Sequence, residues 1–238
     1  MQRDIVQILG FGVDTFTFEE ALEYITSHHG QVVTINPEMI ETARKNSEFA
    51  GIINSSEMVL PDGIGVQLGL KILGKDIKRI AGIEFGKALL FNAAKEDKKV
   101  ALIGAKEEVL IQAILNLKEE IPNLNIVYSH NGYFDNDTEI LEDAVKTQPD
   151  VVLVALGSPK QEFFINQLKL RLPNSVLIGL GGSFDVWAGA VKRAPKIYQQ
   201  LGLEWLYRTL KEPQRFKRIF PTLPVFVLRV LKERFIGK

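Results

Sequence analysis

Val151-Val152-Leu153-Val154-Ala155-Leu156-Gly157-Ser158-Pro159-Lys160-Gln161-Glu162 passes from an unbroken apolar run into glycine, serine and proline, then into the helical spacing of 159–170. A run that is apolar at every position, not at alternate ones, is a strand buried on both faces. Such a strand leading straight into a helix belongs to a parallel sheet. Working outward, β-branched-rich runs stand at 32–35, 58–60, 100–103, 126–128 and 176–180, with amphipathic stretches at 106–120 and 138–146 between them. The alternation predicts an α/β fold, a Rossmann-like parallel sheet sandwiched by helices. Thr17 and Glu20 form a capping box that opens an early helix running to about Ser27.

The 238 residues suffice for one large α/β domain with an appendage. With 46% apolar and 24% charged residues, the chain has the makings of a real core. It has no cysteine, which removes disulfides and thiolate metal sites and fits a reducing compartment. The opening MQRDIVQILGFGVD carries Asp4 and only a short apolar run, so it does not read as a signal peptide. No uninterrupted apolar stretch of about 18 residues exists to span a bilayer.

The zero net charge hides an asymmetry. Residues 190–238 hold 12 Lys/Arg against three Asp/Glu, and residues 1–189 hold 17 against 26. A basic tail on an acidic body points to a polyanion, either anionic lipid or nucleic acid. The plainer alternative is a solvated segment that neutralises the body. Composition changes after Pro195, which divides the chain into an α/β domain at 1–195 and a basic helical C-terminal appendage at 196–238. Its last helix has Phe226, Val227, Val230, Leu231 and Phe235 as apolar positions, with Arg229, Lys232 and Arg234 for charge. Such a helix can lie in a membrane interface. It can also dock on the core, or seal an interface between copies of the chain.

In a sheet of this kind, ligands bind beyond the carboxyl ends of the strands. Three strand ends are candidates. Thr34, Asn36 and Pro37 end the first run, where a helix starts and capping is the simpler use. Leu60-Pro61-Asp62-Gly63-Ile64-Gly65 sets a carboxylate at a sharp turn, as a general base or as an N-cap. The glycines that follow imitate a dinucleotide fingerprint, with one residue too many before Gly69. At the third end, Gly157, Ser158, Lys160 and the helix start favour a phosphate, and Gln161 is placed to hydrogen-bond a sugar, a base or a diphosphate. Two further glycine-bearing turns, Gly104-Ala105-Lys106 and the 179–185 segment with Gly181, Gly182 and Asp185, extend the case for a nucleotide.

Other patterns carry less. Asp135-Asn136-Asp137 matches a metal-binding D-x-D but precedes a helix, where these residues cap. His28-His29 ends a helix, with no metal partner nearby in sequence. G-x-S-x-G, Walker and H-E-x-x-H motifs are absent.

TINPEM (34–39), LPDGIGV (60–66), GSPKQE (157–162), GGSFDVWAGAVKRAP (181–195) and GLEWLYRTLKEPQRFKR (202–218) together resemble the WecG/TagA/CpsF family of bacterial glycosyltransferases. The resemblance implies inverting transfer of an N-acetylmannosamine-type sugar from a UDP donor to polyprenyl-diphosphate-linked N-acetylglucosamine. It implies an early step of wall teichoic acid or related polysaccharide synthesis, catalysed without a metal or other cofactor by a cytoplasmic protein held peripherally at the inner face of the plasma membrane. By the same resemblance, Asp62 is the general base, with Thr34 and Asn36 beside it and Gln161 near the reacting sugar or donor. Arg208, Arg215 and Arg218 would complete the site and bind the lipid diphosphate, with Arg79 as a further candidate in a glycine-flanked, mobile stretch at 78–82. Two other readings remain at this point. One is an NAD-dependent oxidoreductase or epimerase on the same fold. The other is a nucleic-acid binder using the basic tail, against which the acidic body argues.

Overall fold

The computed structural model describes residues 3–200, 202–211 and 216–237; the side chains of Gln200, Arg208 and residues 217–219 lie outside that description. An antiparallel hairpin of β1 (Ile5–Ile8) and β2 (Phe11–Asp14) comes first, a feature the hydropathy pattern does not announce. Then follow α1 (Phe18–His28), β3 (Gly30–Ile35), α2 (Pro37–Ala43), α3 (Ser47–Asn54), β4 (Met58–Pro61), α4 (Gly63–Ile72) and α5 (Gly82–Lys95). The second half runs β5 (Lys99–Gly104), α6 (Glu107–Glu120), β6 (Asn125–His130), α7 (Asp137–Lys146), β7 (Val151–Ala155), α8 (Lys160–Lys169), β8 (Val176–Gly179) and α9 (Ser183–Trp187). The tail forms α10 (Lys196–Gln200), α11 (Glu204–Lys211) and α12 (Phe216–Ile236).

Strands β3 to β8 build one sheet in the order β4-β3-β8-β7-β5-β6, with every pairing parallel. All six coincide with the apolar runs read from the sequence. Alternate strand residues face opposite layers. Val32, Leu60, Leu102, Leu153 and Ile178 pack under α1, α5, α6 and α9. Val33, Ile35 and Val59 face α2, α3, α4 and α12, while Ala101, Ile103, Val152 and Val154 face α7 and α8. Helix α1 opens on the expected capping box, with the Thr17 hydroxyl accepting from Glu20 N–H and the Glu20 carboxylate accepting from Thr17 N–H.

At two of its apolar positions the C-terminal helix docks on the core, one of the uses its sequence allows. Phe226 and Val230 are fully buried in the same cluster as Ile8, Met39, Val66 and Leu70, while Leu228 and Phe235 stay exposed. α12 lies against α2 and α4, with the Arg229 guanidinium 3.3 Å from the Glu41 carboxylate and Glu233 accepting from Leu9 N–H at 2.9 Å. Glycine makes the approach close: a Cβ on Gly69 would lie 2.8 Å from Ile8 Cδ1 and 3.0 Å from Phe226 Cζ, and one on Gly65 would lie 2.5 Å from Pro37 Cγ. The glycines that imitate a dinucleotide fingerprint are therefore used at Gly65 and Gly69 for packing between helices. Among the described residues, no helix is long and apolar enough to cross a membrane.

Candidate active site

The carboxyl ends of β3, β4 and β8 open into a cavity of about 280 Å3, walled by Thr34, Asn36, Asp62, Arg79, Leu180 and Gly182 together with Glu204, Trp205 and Leu223 from the tail. A wider cavity of about 660 Å3 shares Thr34, Asn36 and Asp62 and extends past Gly157, Ser158, Gln161 and Gly181. Pro37, Gly63 and Gly82, the first residues of α2, α4 and α5, stand in the wall of the first cavity. Pro37 has no N–H and the Gly63 and Gly82 amides already bond the Asp62 carboxylate, so what these helix starts offer an anion is the positive end of their dipoles.

Asp62 follows β4 directly and donates its N–H to Ile35 O at 2.9 Å. It occupies the N-cap position of α4, yet its side chain makes no capping hydrogen bond. Gly63 turns the chain with φ +76° and has nothing facing the place of a Cβ. The carboxylate stands in the cavity wall and is held by the amides of Gly63 and Gly82, the first residues of α4 and α5, not by the usual capping bond further into its helix. Burial pushes its pKa up to about 6; the Arg79 guanidinium and the amides of Gly63 and Gly82 oppose the rise, and Glu204 adds to it. A carboxylate raised to that range is ionised at neutral pH and is a better proton acceptor than an ordinary one.

The neighbours of Asp62 are fixed by identifiable contacts. Gly82 starts α5 against Thr34, whose side-chain atoms would lie 3.1–3.4 Å from a Cβ there. Asn36 both walls the cavity and caps α2, accepting from Met39 N–H at 3.0 Å. Gln161 is buried with both ends of its amide engaged: it donates to Glu162 Oε1 at 2.8 Å and accepts from Gly181 N–H at 3.0 Å. It therefore ties the 157–162 turn to the glycine turn after β8. Glu162, which sequence reasoning passed over, is buried beside it with Oε2 unpartnered, and burial pushes its pKa up.

Arg79 is in the wall as expected, but its stretch is anchored. Ile80 N–H donates to Pro61 O at 2.8 Å, and Arg79 donates to Gln199 O at 2.6 Å and lies 3.6 Å from Glu204. Arg193 links Glu204 to Glu84, so ion pairs bind α11 to the body.

Gly157, Ser158, Gly181 and Gly182 line the wider cavity. Gly104, Lys160 and Asp185 lie outside the walls of both. The Lys160 ammonium sits 4.5 Å over the Phe134 ring, Gly104 has no room for a Cβ beside Ala155 O, and Asp185 O accepts from Val191 N–H. Arg215 lies outside the described residues, as do the side chains of Arg208 and Arg218. In the D-x-D segment Asn136 caps α7 through Thr138 N–H, and His28 stacks on Tyr24 at the end of α1. Glu204, Trp205 and Leu223 were missed as wall residues because helical spacing alone does not say which face of a tail helix meets the body.

The family described as "Glycosyl transferase WecG/TagA/CpsF family" matches residues 6–238. Two curated relatives carry the name N-acetylglucosaminyldiphosphoundecaprenol N-acetyl-beta-D-mannosaminyltransferase. The one from Bacillus spizizenii is 39% identical over 212 residues, 88% of this chain and 82% of the relative. The one from Bacillus subtilis is 39% identical over 219 residues, 89% of this chain and 85% of the relative.

Proposed function

Because the chain belongs to the WecG/TagA/CpsF family of glycosyltransferases, we propose that it moves N-acetylmannosamine from UDP to N-acetylglucosaminyl-diphosphoundecaprenol, in wall teichoic acid or related surface-polysaccharide synthesis. The observation that carries this reading is Asp62, an uncapped carboxylate with its pKa near 6 at the meeting of three strand ends. Asp62 takes the proton from the acceptor hydroxyl as that oxygen attacks the anomeric carbon, and the bond to UDP breaks on the opposite face. Inversion at an α-linked donor gives the β-mannosaminyl product that the relatives' names specify. Negative charge grows on the departing diphosphate, and the dipoles at the starts of α4 and α5 favour it. Arg208, Arg215 and Arg218 are proposed to complete that cradle, since guanidinium forks suit a diphosphate. The enzyme works peripherally at the inner face of the plasma membrane, where its acceptor resides.

A transfer assay with a short-chain lipid-diphosphate-GlcNAc acceptor and a panel of UDP-sugars tests the reading; transfer from every donor except UDP-N-acetylmannosamine would overturn it. UDP at about 100 times its Kd is expected to stabilise the protein by ~2.7 kcal/mol. NAD is expected to give no shift, and the reverse pattern would restore the oxidoreductase reading. Transfer is proposed to need no metal, so activity should survive EDTA; loss on chelation and recovery with a divalent cation would refute that.

The pH profile follows from Asp62. It must be ionised to act, so kcat/KM should fall about tenfold per pH unit below about 6 and be level above it. An acid limb centred near the ordinary carboxylate value would show that Asp62 is not the base.

A further inference from the structure

Helices α11 and α12 enclose a second space, a groove of about 800 Å3 whose walls are almost wholly apolar. Trp205 and Leu223 belong both to this groove and to the catalytic cavity, so the two meet at those side chains. Farther along it, Leu210, Phe220 and Leu228 are 69%, 60% and 66% exposed. The hydroxyl of Thr209 is engaged, donating to Trp205 O at 2.6 Å. At the junction, the buried Trp205 Nε1 has no acceptor among the described residues.

A concave apolar track with exposed large side chains marks a binding surface. Its position says what for. One end adjoins a cavity ringed by helix N-termini, with an unpartnered N–H donor at the junction, and the other end reaches the surface. The fitting ligand is anionic at one end and hydrocarbon at the other. A bilayer surface would meet exposed side chains without needing a groove that runs back to the catalytic base.

We propose that this groove binds the isoprenoid units nearest the diphosphate of the lipid acceptor, leading the chain from the cavity out between α11 and α12. The inference rests on the acceptor assigned above and adds where its lipid goes. Apolar burial then contributes to acceptor binding in proportion to the chain length enclosed.

The test is direct binding to the full chain, followed by tryptophan emission or calorimetry, with farnesyl diphosphate and inorganic diphosphate as probes. The wild-type protein should bind farnesyl diphosphate at least tenfold more tightly. Phe220→Asn with Leu228→Asn, both at exposed positions, should abolish that gain and leave affinity for inorganic diphosphate and UDP unchanged. Equal affinity of the wild-type protein for the two probes would overturn the proposal, as would a double variant that keeps the gain. A double variant that keeps the gain but no longer binds anionic vesicles would make the groove a bilayer contact. One that keeps the gain but turns a dimer into a monomer in sedimentation would make it a self-interface. A wild-type protein that shows the gain and transfers no sugar would sink the glycosyltransfer reading while leaving the groove in place.

Discussion

Asp62→Asn is expected to give a folded protein that melts at a higher temperature than the wild type and turns over 10²–10⁴-fold more slowly, the usual contribution of a general base. Both effects have one cause. Burial raises the Asp62 pKa from 3.8 to about 6, so the folded state binds that proton more tightly than the unfolded chain does. Below about pH 4 the group is protonated in both states and costs nothing. Between about 4 and 6 the unfolded chain releases the proton first, and above about 6 the full penalty is present. At 1.36 kcal/mol per pKa unit the penalty approaches ~3 kcal/mol. Asparagine keeps the shape without the charge, so ~1–3 kcal/mol should return at neutral pH, a rise of several degrees in Tm. A thermal melt and a transfer assay on the same sample check both halves. Near-normal turnover would make Asp62 structural, and a lowered Tm would mean that its charge is satisfied by partners and not strained.

How far the sequence carries the argument depends on whether a signal is local. The six parallel strands were legible because each carries a run of three or more apolar or β-branched residues, and Asp62 stood out because a strand, an acid and a glycine follow one another without a gap. Asn36 and Asn136 were correctly read as residues that cap, since a cap needs only the next three positions. The β1–β2 hairpin was not legible: Ile5 is exposed and Asp14 buried, against the simple alternation. Asp14 is tolerated there because Arg3 and the Val59 N–H both donate to it, partners remote in sequence. The spacing of Gly65 and Gly69 ruled out a dinucleotide fingerprint, but their packing role was hidden for the same reason, since Pro37 and Phe226, which they admit, lie on other helices. Lys160 and Gly104 were assigned to the nucleotide by turn chemistry; neither lines the two cavities, and the groups they meet, the Phe134 ring and Ala155 O, are remote in sequence.

Removing the chain from Gly202 onward is expected to abolish transfer and, beyond what a detachable appendage would do, to lower the stability of the body. A tail read from charge alone could leave without consequence for the fold. The tail in this structure places Phe226 and Val230, fully buried, against Ile8, Met39 and Leu70, and its departure uncovers them. The two roles of the tail separate by single changes. Phe226→Ala removes a ring that fills the space left by Gly69, so it should cost ~3–5 kcal/mol, a fall in Tm on the order of 10 °C. Arg215→Ala and Arg218→Ala should instead cut turnover with little change in Tm, because an arginine at a diphosphate contributes to the transition state and not to the core. If Phe226→Ala and the truncated protein both melt like the wild type, α12 is a free appendage and its burial is not part of the fold. If the arginine variants melt early, the tail acts on catalysis only by holding the body together.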